Sequence, residues 1–453
     1  MTDDELDVYL EGRPAGRLRR AADGRVSFSY EEGYRLSPQV TALSVSIPLH
    51  QAEHGPDLVM PWIANLLPNN ERVLARWAEH FDTVDTSAFG LLRHMGADCA
   101  GAVQILPVGS TPSEAGQYEP LSEDDIADRI AALRRDDAAW NGPGANNSGS
   151  EDDDSFGRWS LGGAQGKIAL ARIGDEWALP TGRAASTHIL KVGVQAIPDS
   201  DLAELATAAA ARGLGLPVPR MEITRFGAEA ALVVTRYDRL PGADGTVRRL
   251  HQEDFCQALG VWPNLRYEKE TSGPTMADMA AVVADATTPG EDREASRRLL
   301  AQVVTFTLLS IGTDAHAKNH SLLHIGPRTR MAPLYDLGSA AFAYAGERLL
   351  AAAKLPLRFG RSFMLPQIDA TELVRVADTL GLDRDEYLGL VRGMAADLPD
   401  ALADAVHGLP VVPSSAHFAE APGTIATLAA RIMSSIDRLD PSSVEPFIAP
   451  RRY

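Results

Sequence analysis

Cysteine is scarce in this chain. Cys99 and Cys256 are the only two in 453 residues; they are too few for a disulfide framework and lack metal-site spacing, which points to a reducing compartment. Long apolar runs are missing as well. The longest, Leu299 to Ile311, is broken by Gln302 and by threonines and is too short to cross a bilayer. The first residues read Met-Thr-Asp-Asp-Glu-Leu-Asp, acidic where a secretory leader is basic and then apolar. Positive charge is in deficit, with 43 Lys and Arg against 61 Asp and Glu, a net charge of -18. That balance argues against a free-standing, sequence-independent nucleic-acid binder, whose affinity comes from neutralising phosphates. Two small basic clusters, Arg17, Arg19 and Arg20, and Arg451 with Arg452, read as solvated surface. The expectation is a cytoplasmic protein without membrane association.

Hydrophobic residues make up 45% of the chain, and its length suits two or three subdomains. Alternation from Leu6 to Tyr30 predicts strands joined by tight turns. Residues 61–81 predict helix, with Pro68 opening a second one. Ala102 to Leu106 predicts a strand. Residues 141–155 carry no apolar side chain beyond Ala and Pro and read as a mobile loop. Two apolar arms then flank a glycine-rich turn in Trp159-Ser-Leu-Gly-Gly-Ala-Gln-Gly-Lys-Ile-Ala-Leu-Ala171, as in a hairpin. A helix is expected from Asp201 to Leu214, a buried strand from Ala231 into Asp238, and a mostly helical remainder after Gly260, with helices at 371–381, 385–397 and 422–438. The predicted divisions are a β-rich subdomain at 1–140, a nucleotide-binding lobe at 141–250 and a helical lobe at 251–453.

The chemistry gathers around Gly312-Thr-Asp-Ala-His-Ala-Lys-Asn319 and Leu334-Tyr-Asp-Leu-Gly338. Asp314 and Asn319 keep the Asp-x-x-x-x-Asn spacing of a protein-kinase catalytic loop, and Asp336 supplies a second metal carboxylate in a Leu variant of Asp-Phe-Gly. The helix Leu299 to Ile311 would deliver this loop. Upstream, Gly162, Gly163 and Ala164 lie in a turn whose amides can approach phosphates. It is not a Walker A loop, because Ile168 follows Lys167 where Ser or Thr belongs. Lys191 ends the next strand, where a kinase places its phosphate lysine, and Glu204 on the following helix is the candidate carboxylate to pair with it.

Ordered motifs along nearly the whole chain resemble the HipA-type serine/threonine kinase toxins of bacterial toxin-antitoxin modules. They are Asn65-Leu-Leu-Pro68, Gly101-Ala-Val-Gln104, Ser160 to Lys167, Thr187-His-Ile-Leu-Lys191, Gly215-Leu-Pro-Val-Pro219, Arg236-Tyr-Asp-Arg239, His251 to Gln257, Thr313 to Asn319 and Pro333-Leu-Tyr-Asp336. The resemblance implies an α+β, two-lobed, kinase-like fold and ATP- and Mg2+-dependent phosphorylation of protein Ser/Thr, with a translation component such as an aminoacyl-tRNA synthetase as target. It implies Asp314 as catalytic base, Asn319 and Asp336 as metal ligands, Lys191 as phosphate ligand, Thr235, Arg236 and Tyr237 as the adenine-reading hinge, and Ser160 as an autophosphorylated serine. It also implies a separate HipB-like antitoxin through which DNA is reached. Thr235 stands where the family often has Glu, and His320 where it often has Phe.

Two other readings stay open. His316, His320 and His324 recur every four residues, a spacing that on a helix suits a metal-dependent hydrolase. The chain can also be a catalytically silent protein that acts by holding an antitoxin.

Overall fold

The computed structural model describes residues 4–112, 116–140, 159–242, 246–268 and 273–453. The loop expected at 141–155 lies outside the described residues. The architecture is α+β and two-lobed: unit 1 comprises Met1–Val192, Arg220–Pro263 and Leu322–Arg328, and unit 2 comprises Gly193–Pro219, Asn264–Ser321 and Thr329–Tyr453. The three contiguous stretches expected from sequence order do not coincide with these units. The chain leaves the first for one helix, returns to it for five strands and a short helix, and later gives it a single further segment.

Unit 1 holds a five-stranded sheet and a six-stranded sheet. The first is built from β1 (Glu5–Leu10), β2 (Arg13–Arg20), β3 (Val26–Tyr30), β4 (Glu53–His54) and, after β5 (Asp98–Cys99), β6 (Val103–Pro107), in the order β4-β3-β2-β1-β6. Alternation sets the buried face, with every second residue of Val26–Tyr30 inside. Leu10 pairs with Arg13 across a two-residue turn in which Glu11 and Gly12 both have positive φ (52° and 75°), the twist-matched hairpin geometry. Arg17, Arg19 and Arg20 are ion-paired to Glu5, Asp7, Asp4 and Asp85, which accounts for the first basic cluster.

The second sheet uses β7 (Gln117–Pro120), β9 (Lys167–Ile173), β10 (Glu176–Thr181), β11 (His188–Lys191), β12 (Met221–Phe226) and β13 (Glu229–Thr235), in the order β12-β13-β11-β9-β10-β7. β8 (Trp159–Ser160) does not form the expected hairpin with β9. It runs parallel to β5 instead, Asp98 opposite Trp159 and Cys99 opposite Ser160. One apolar core joins both sheets around Trp62, Trp77, Trp140 and Trp159. Residues 61–81 are indeed helical in part, as Pro56–Ala64 and Glu71–His80. The second helix starts after Pro68, though, where the Asn70 side chain caps the Arg72 amide.

Unit 2 is mostly helical: Ser200–Gly213, Met276–Ala286, Glu291–Leu309, Gly346–Ala352, Ala370–Leu380, Arg384–His407 and His417–Asp437. Helix Glu291–Leu309 buries Leu300, Val303, Val304, Phe306 and Leu308. Its end positions the loop that follows. Gly312 N bonds Thr307 O at 2.8 Å and Ile311 N bonds Leu308 O at 3.2 Å, a Schellman closure. Its left-handed residue is Ile311, φ 55°. A β-branched residue there is strained; its full burial offsets the strain. Among the described residues no helix is long and apolar enough to cross a membrane.

Candidate active site

In unit 1 the glycine turn hangs between β8 and β9 and is held from outside. Ser160 is fully buried and its Oγ donates to Leu66 O at 2.8 Å. Asn69 N donates to Gly163 O at 2.9 Å, so the Asn65-to-Pro68 motif and its flank form the wall on which the turn rests. Lys167 Nζ donates to Gly162 O at 2.9 Å and lies 4.2 Å from the Trp140 ring centroid. Gln165 Nε2 donates to Val192 O at 3.0 Å. Gly163 has φ 103°, and a Cβ there would stand 2.9 Å from Lys167 Nζ, so only glycine fits. Ala164 is exposed at the crest.

Lys191, 8% exposed, ends β11 directly opposite Lys167 of β9. Like charges facing across strands are destabilising, and Lys167 Nζ is drawn to Gly162 O and the Trp140 ring. Glu204, also buried, lies on helix Ser200–Gly213 of the other unit.

At the expected hinge, Thr235 N bonds Arg220 O and Arg236 N bonds Thr187 O, each at 2.9 Å. Tyr237 Oη donates to Gln252 Oε1. The Arg236 side chain turns inward. It makes paired bonds to Asp238 (2.9 and 2.8 Å) and one to Ser186 Oγ at 2.8 Å. Asp98 is the hub of this cluster, taking Arg239 at 2.8 Å, Arg249 at 3.3 Å, Arg236 at 3.5 Å and the Ser186 amide at 2.9 Å. Burial alone would raise the Asp98 carboxyl, but Arg239, Arg236 and Arg249 outweigh it and hold it well below the usual carboxylate range. Gly101 N donates to Asp238 at 2.8 Å. The Gly101-to-Gln104 and Arg236-to-Arg239 motifs thus meet as a structural cluster, and position 236 offers only backbone to a ligand.

Unit 2 carries the polar loop. His316 N bonds Asp314 O at 2.8 Å and Asn319 N bonds His316 O at 2.9 Å. Asn319 Nδ2 donates to Asp314 O at 2.9 Å. The Asn319 nitrogen is therefore committed inward, leaving its oxygen as the donor atom for a cation. Asp314 and Asp336 are exposed. Asp336 has φ 56°, a left-handed turn that Asp tolerates. Leu334 N bonds Pro217 O at 2.8 Å and Tyr335 Oη donates to Lys318 O at 2.9 Å, so the Pro333-to-Asp336 run is fastened to the loop. An amide oxygen and a carboxylate are hard donors that fit Mg2+, which typically uses one or two carboxylates together with substrate phosphates.

The histidine reading is overturned. Ala317–Asn319 is one 3-10 turn and Ser321–Ile325 is a strand, so the i, i+4 spacing does not make a shared helical face. His324 Nε2 bonds Glu253 at 3.1 Å in unit 1, whereas His316 belongs to unit 2. Burial pushes the His316 ring down to about 3 and His320 to about 4. Among the described residues no group of three or more His, Cys, Asp or Glu is arranged to hold a metal ion. The residue that sequence reasoning missed is Tyr267, whose Oη donates to Asp314 Oδ1. A tyrosine 47 positions upstream carries no local signal of this contact.

The family description "HipA-like C-terminal domain" matches residues 159–402, and "HipA N-terminal domain" matches residues 6–106. The chain is 34% identical over 412 residues to Y4mE of Sinorhizobium fredii, covering 90% of this chain and 92% of that protein. It is 29% identical over 392 residues to the serine/threonine-protein kinase toxin HipA of Shewanella oneidensis, covering 84% and 83%. The solved Shewanella oneidensis complex of HipA, HipB and operator DNA contains a chain that superposes with a TM-score of 0.78 at 25% identity, covering 95% of this chain and 98% of that one. With the family matched across most of its length, the chain belongs to the HipA-type serine/threonine kinase toxins.

Proposed function

We propose that this protein is an ATP- and Mg2+-dependent serine/threonine protein kinase acting as the toxin of a HipA/HipB-like module. The observation that carries the reading is the loop in which Asn319 Nδ2 is pinned to Asp314 O at 2.9 Å, leaving the Asn319 oxygen for a cation in the unit that also carries the exposed Asp314 and Asp336. Asp314 accepts the proton of the acceptor hydroxyl as the new O–P bond forms and the γ-phosphorus bond to the bridging oxygen breaks, releasing ADP. Asn319 and Asp336 would hold Mg2+, which when bound neutralises phosphate charge. Lys191 makes the phosphate contact, with Glu204 as its ion-pair partner. The amides of Gly162, Gly163 and Ala164 cover the phosphates, and the backbone of Thr235, Arg236 and Tyr237 reads adenine. The boundaries at residues 140 and 250 are proposed as the functional division within this scheme.

The acidic balance of the chain supports reaching DNA only through a separate basic antitoxin. The Shewanella complex, which contains HipB and operator DNA, supports the same arrangement. The target is proposed to be a translation component such as an aminoacyl-tRNA synthetase. Ser160 is proposed as the self-modified serine; its burial requires the turn to leave its seat before and after modification. Incubation with radiolabelled ATP and Mg2+ tests the reading: protein-bound label is expected with the natural chain and absent with Asp314→Asn. Label on neither a protein acceptor nor the chain itself would overturn it.

A further inference from the structure

Tyr267 occupies an oxygen of the carboxylate that the proposed chemistry needs for the acceptor hydroxyl. Its Oη donates to Asp314 Oδ1, the oxygen class that must take the proton of an incoming Ser or Thr hydroxyl. The phenol is seated on purpose-built neighbours, all within unit 2. Its ring stands edge-on to His316, centroids 4.7 Å apart at 81°, and the Arg266 guanidinium lies 4.8 Å from its centroid. The main chain on either side is tied down. Gly273 N bonds Tyr267 O at 3.1 Å, Arg452 Nη1 donates to Gly273 O at 3.2 Å, and buried Glu268 accepts the Arg358 amide at 2.9 Å. A Cβ on Gly273 would stand 1.8 Å from Leu265 O, so the closure demands glycine. His316 is itself buried, with no hydrogen-bond partner for Nδ1, and works here as an apolar wall for the ring.

We propose that Tyr267 is a built-in stand-in for the acceptor hydroxyl, so that a protein substrate must displace it from Asp314 before phosphoryl transfer. The inference rests on Asp314 as the catalytic base. Tyr267 acts through Asp314 and is a positioning residue that gates the acceptor side. Burial, with the Asp314 carboxylate beside it, raises the phenol above its ordinary range; it therefore stays protonated and keeps donating at neutral pH. When only a fraction of molecules has Tyr267 withdrawn, the apparent affinity for the acceptor falls by that fraction.

Tyr267→Phe removes the hydroxyl and keeps the ring on His316 and Arg266. With dephosphorylated casein as acceptor, KM for casein is expected to fall about 3- to 10-fold, with kcat and KM for ATP within about twofold of the natural protein. Where casein takes too little label to fit a KM, water serves as the acceptor, and basal ATP hydrolysis is expected to rise about 3- to 10-fold. A fall in kcat at unchanged KM would mean that Tyr267 supports Asp314 during turnover, and the proposal would fail. Unchanged KM and hydrolysis would end it too, as would phosphotyrosine at 267, which would make it a substrate. Asp314→Asn, run alongside, separates the failures. Full activity there removes the base and the gate together; loss there with no effect of Tyr267→Phe removes only the gate.

Discussion

The glycine turn of unit 1 and the loop proposed to be catalytic in unit 2 are both short, polar and glycine-bearing, yet distant tethers predominate in one and local bonds in the other. The turn is tethered from a distance: Ser160 to Leu66 across 94 positions and Gln165 to Val192 across 27. The loop's backbone is tied mainly to itself, with the Asn319 amide reaching Asp314 across five positions and His316 bonding back two residues, and only the Asp314 carboxylate takes a distant partner, Tyr267. Local bonds re-form readily once broken because little chain must be brought together. Distant ones depend on the packing of everything between. The loop is thus built to stay in place while nucleotide and acceptor exchange, and the turn is built so that a single event can release it.

Removing the deepest tether should widen this contrast most. β5 carries Asp98 and pairs with β8, which carries Ser160, so the Asp98 cluster anchors the strand that leads into the turn. Asp98→Ala leaves Arg236, Arg239 and Arg249 without their shared anion, a loss of about 3–5 kcal/mol for a buried pair broken on one side. Hydrogen exchange is expected to accelerate across 159–168 and to remain slow at 314–319. Equal loosening of both segments would break the comparison.

The same cluster sets an acid limit. Asp98 and Asp238 are both held below the ordinary carboxylate range, burial working against the shift and the arginines outweighing it. A depressed carboxylate contributes stability that is fully present above its unfolded pKa, about 3.9, and is lost as pH falls toward the folded value. Thermal stability is therefore expected to drop steeply below about pH 4, and Asp98→Ala should flatten that drop. A melting temperature that falls equally steeply in the variant would place the acid sensitivity elsewhere.

Asp314→Asn probes the loop in the opposite sense. It keeps volume and the backbone bonds to His316 and Asn319, so the fold of the loop should persist while phosphoryl transfer falls on the order of 10²-fold or more. Near-normal turnover would remove Asp314 from the chemistry. Asp336→Ala should weaken Mg2+-nucleotide binding instead, a difference that titration calorimetry separates.

The contrast also explains what the sequence could show. The loop proposed to be catalytic was legible as a local turn because its bonds span only a few positions, from Asp314 to His316 and to Asn319. Strands such as Val26–Tyr30 and the helix Glu291–Leu309 were legible from periodicity. The supposed hairpin at Trp159 was misread because two apolar arms around glycines say nothing about a third strand, Asp98–Cys99, taking one of them. Tyr267 on Asp314, and Arg236 on Asp98, join residues far apart in the chain, and no local pattern encodes such meetings. The three-histidine spacing misled for the complementary reason: it assumed a helix where Ser321 already begins a strand.

The smallest change sharpens the comparison furthest. Ser160 is fully buried and its hydroxyl makes a 2.8 Å bond to Leu66 O. Ser160→Ala removes that donor and leaves the rest of the turn's seat intact: Asn69 on Gly163, Lys167 on Gly162, Gln165 on Val192. The expected loss is about 1 kcal/mol, the net worth of one such bond, measured by denaturant unfolding at constant slope. Exchange at 162–166 should quicken slightly, with no change at 314–319. A phosphate on Ser160 acts on the same tether with far more force, because a charge of about -1.5 to -2 cannot remain where the hydroxyl is fully enclosed. The modified protein should therefore release the turn and bind ATP poorly, whereas Ser160→Ala keeps most of its affinity. Phosphorylated protein with unchanged ATP affinity would mean that the turn is fixed as firmly as the loop.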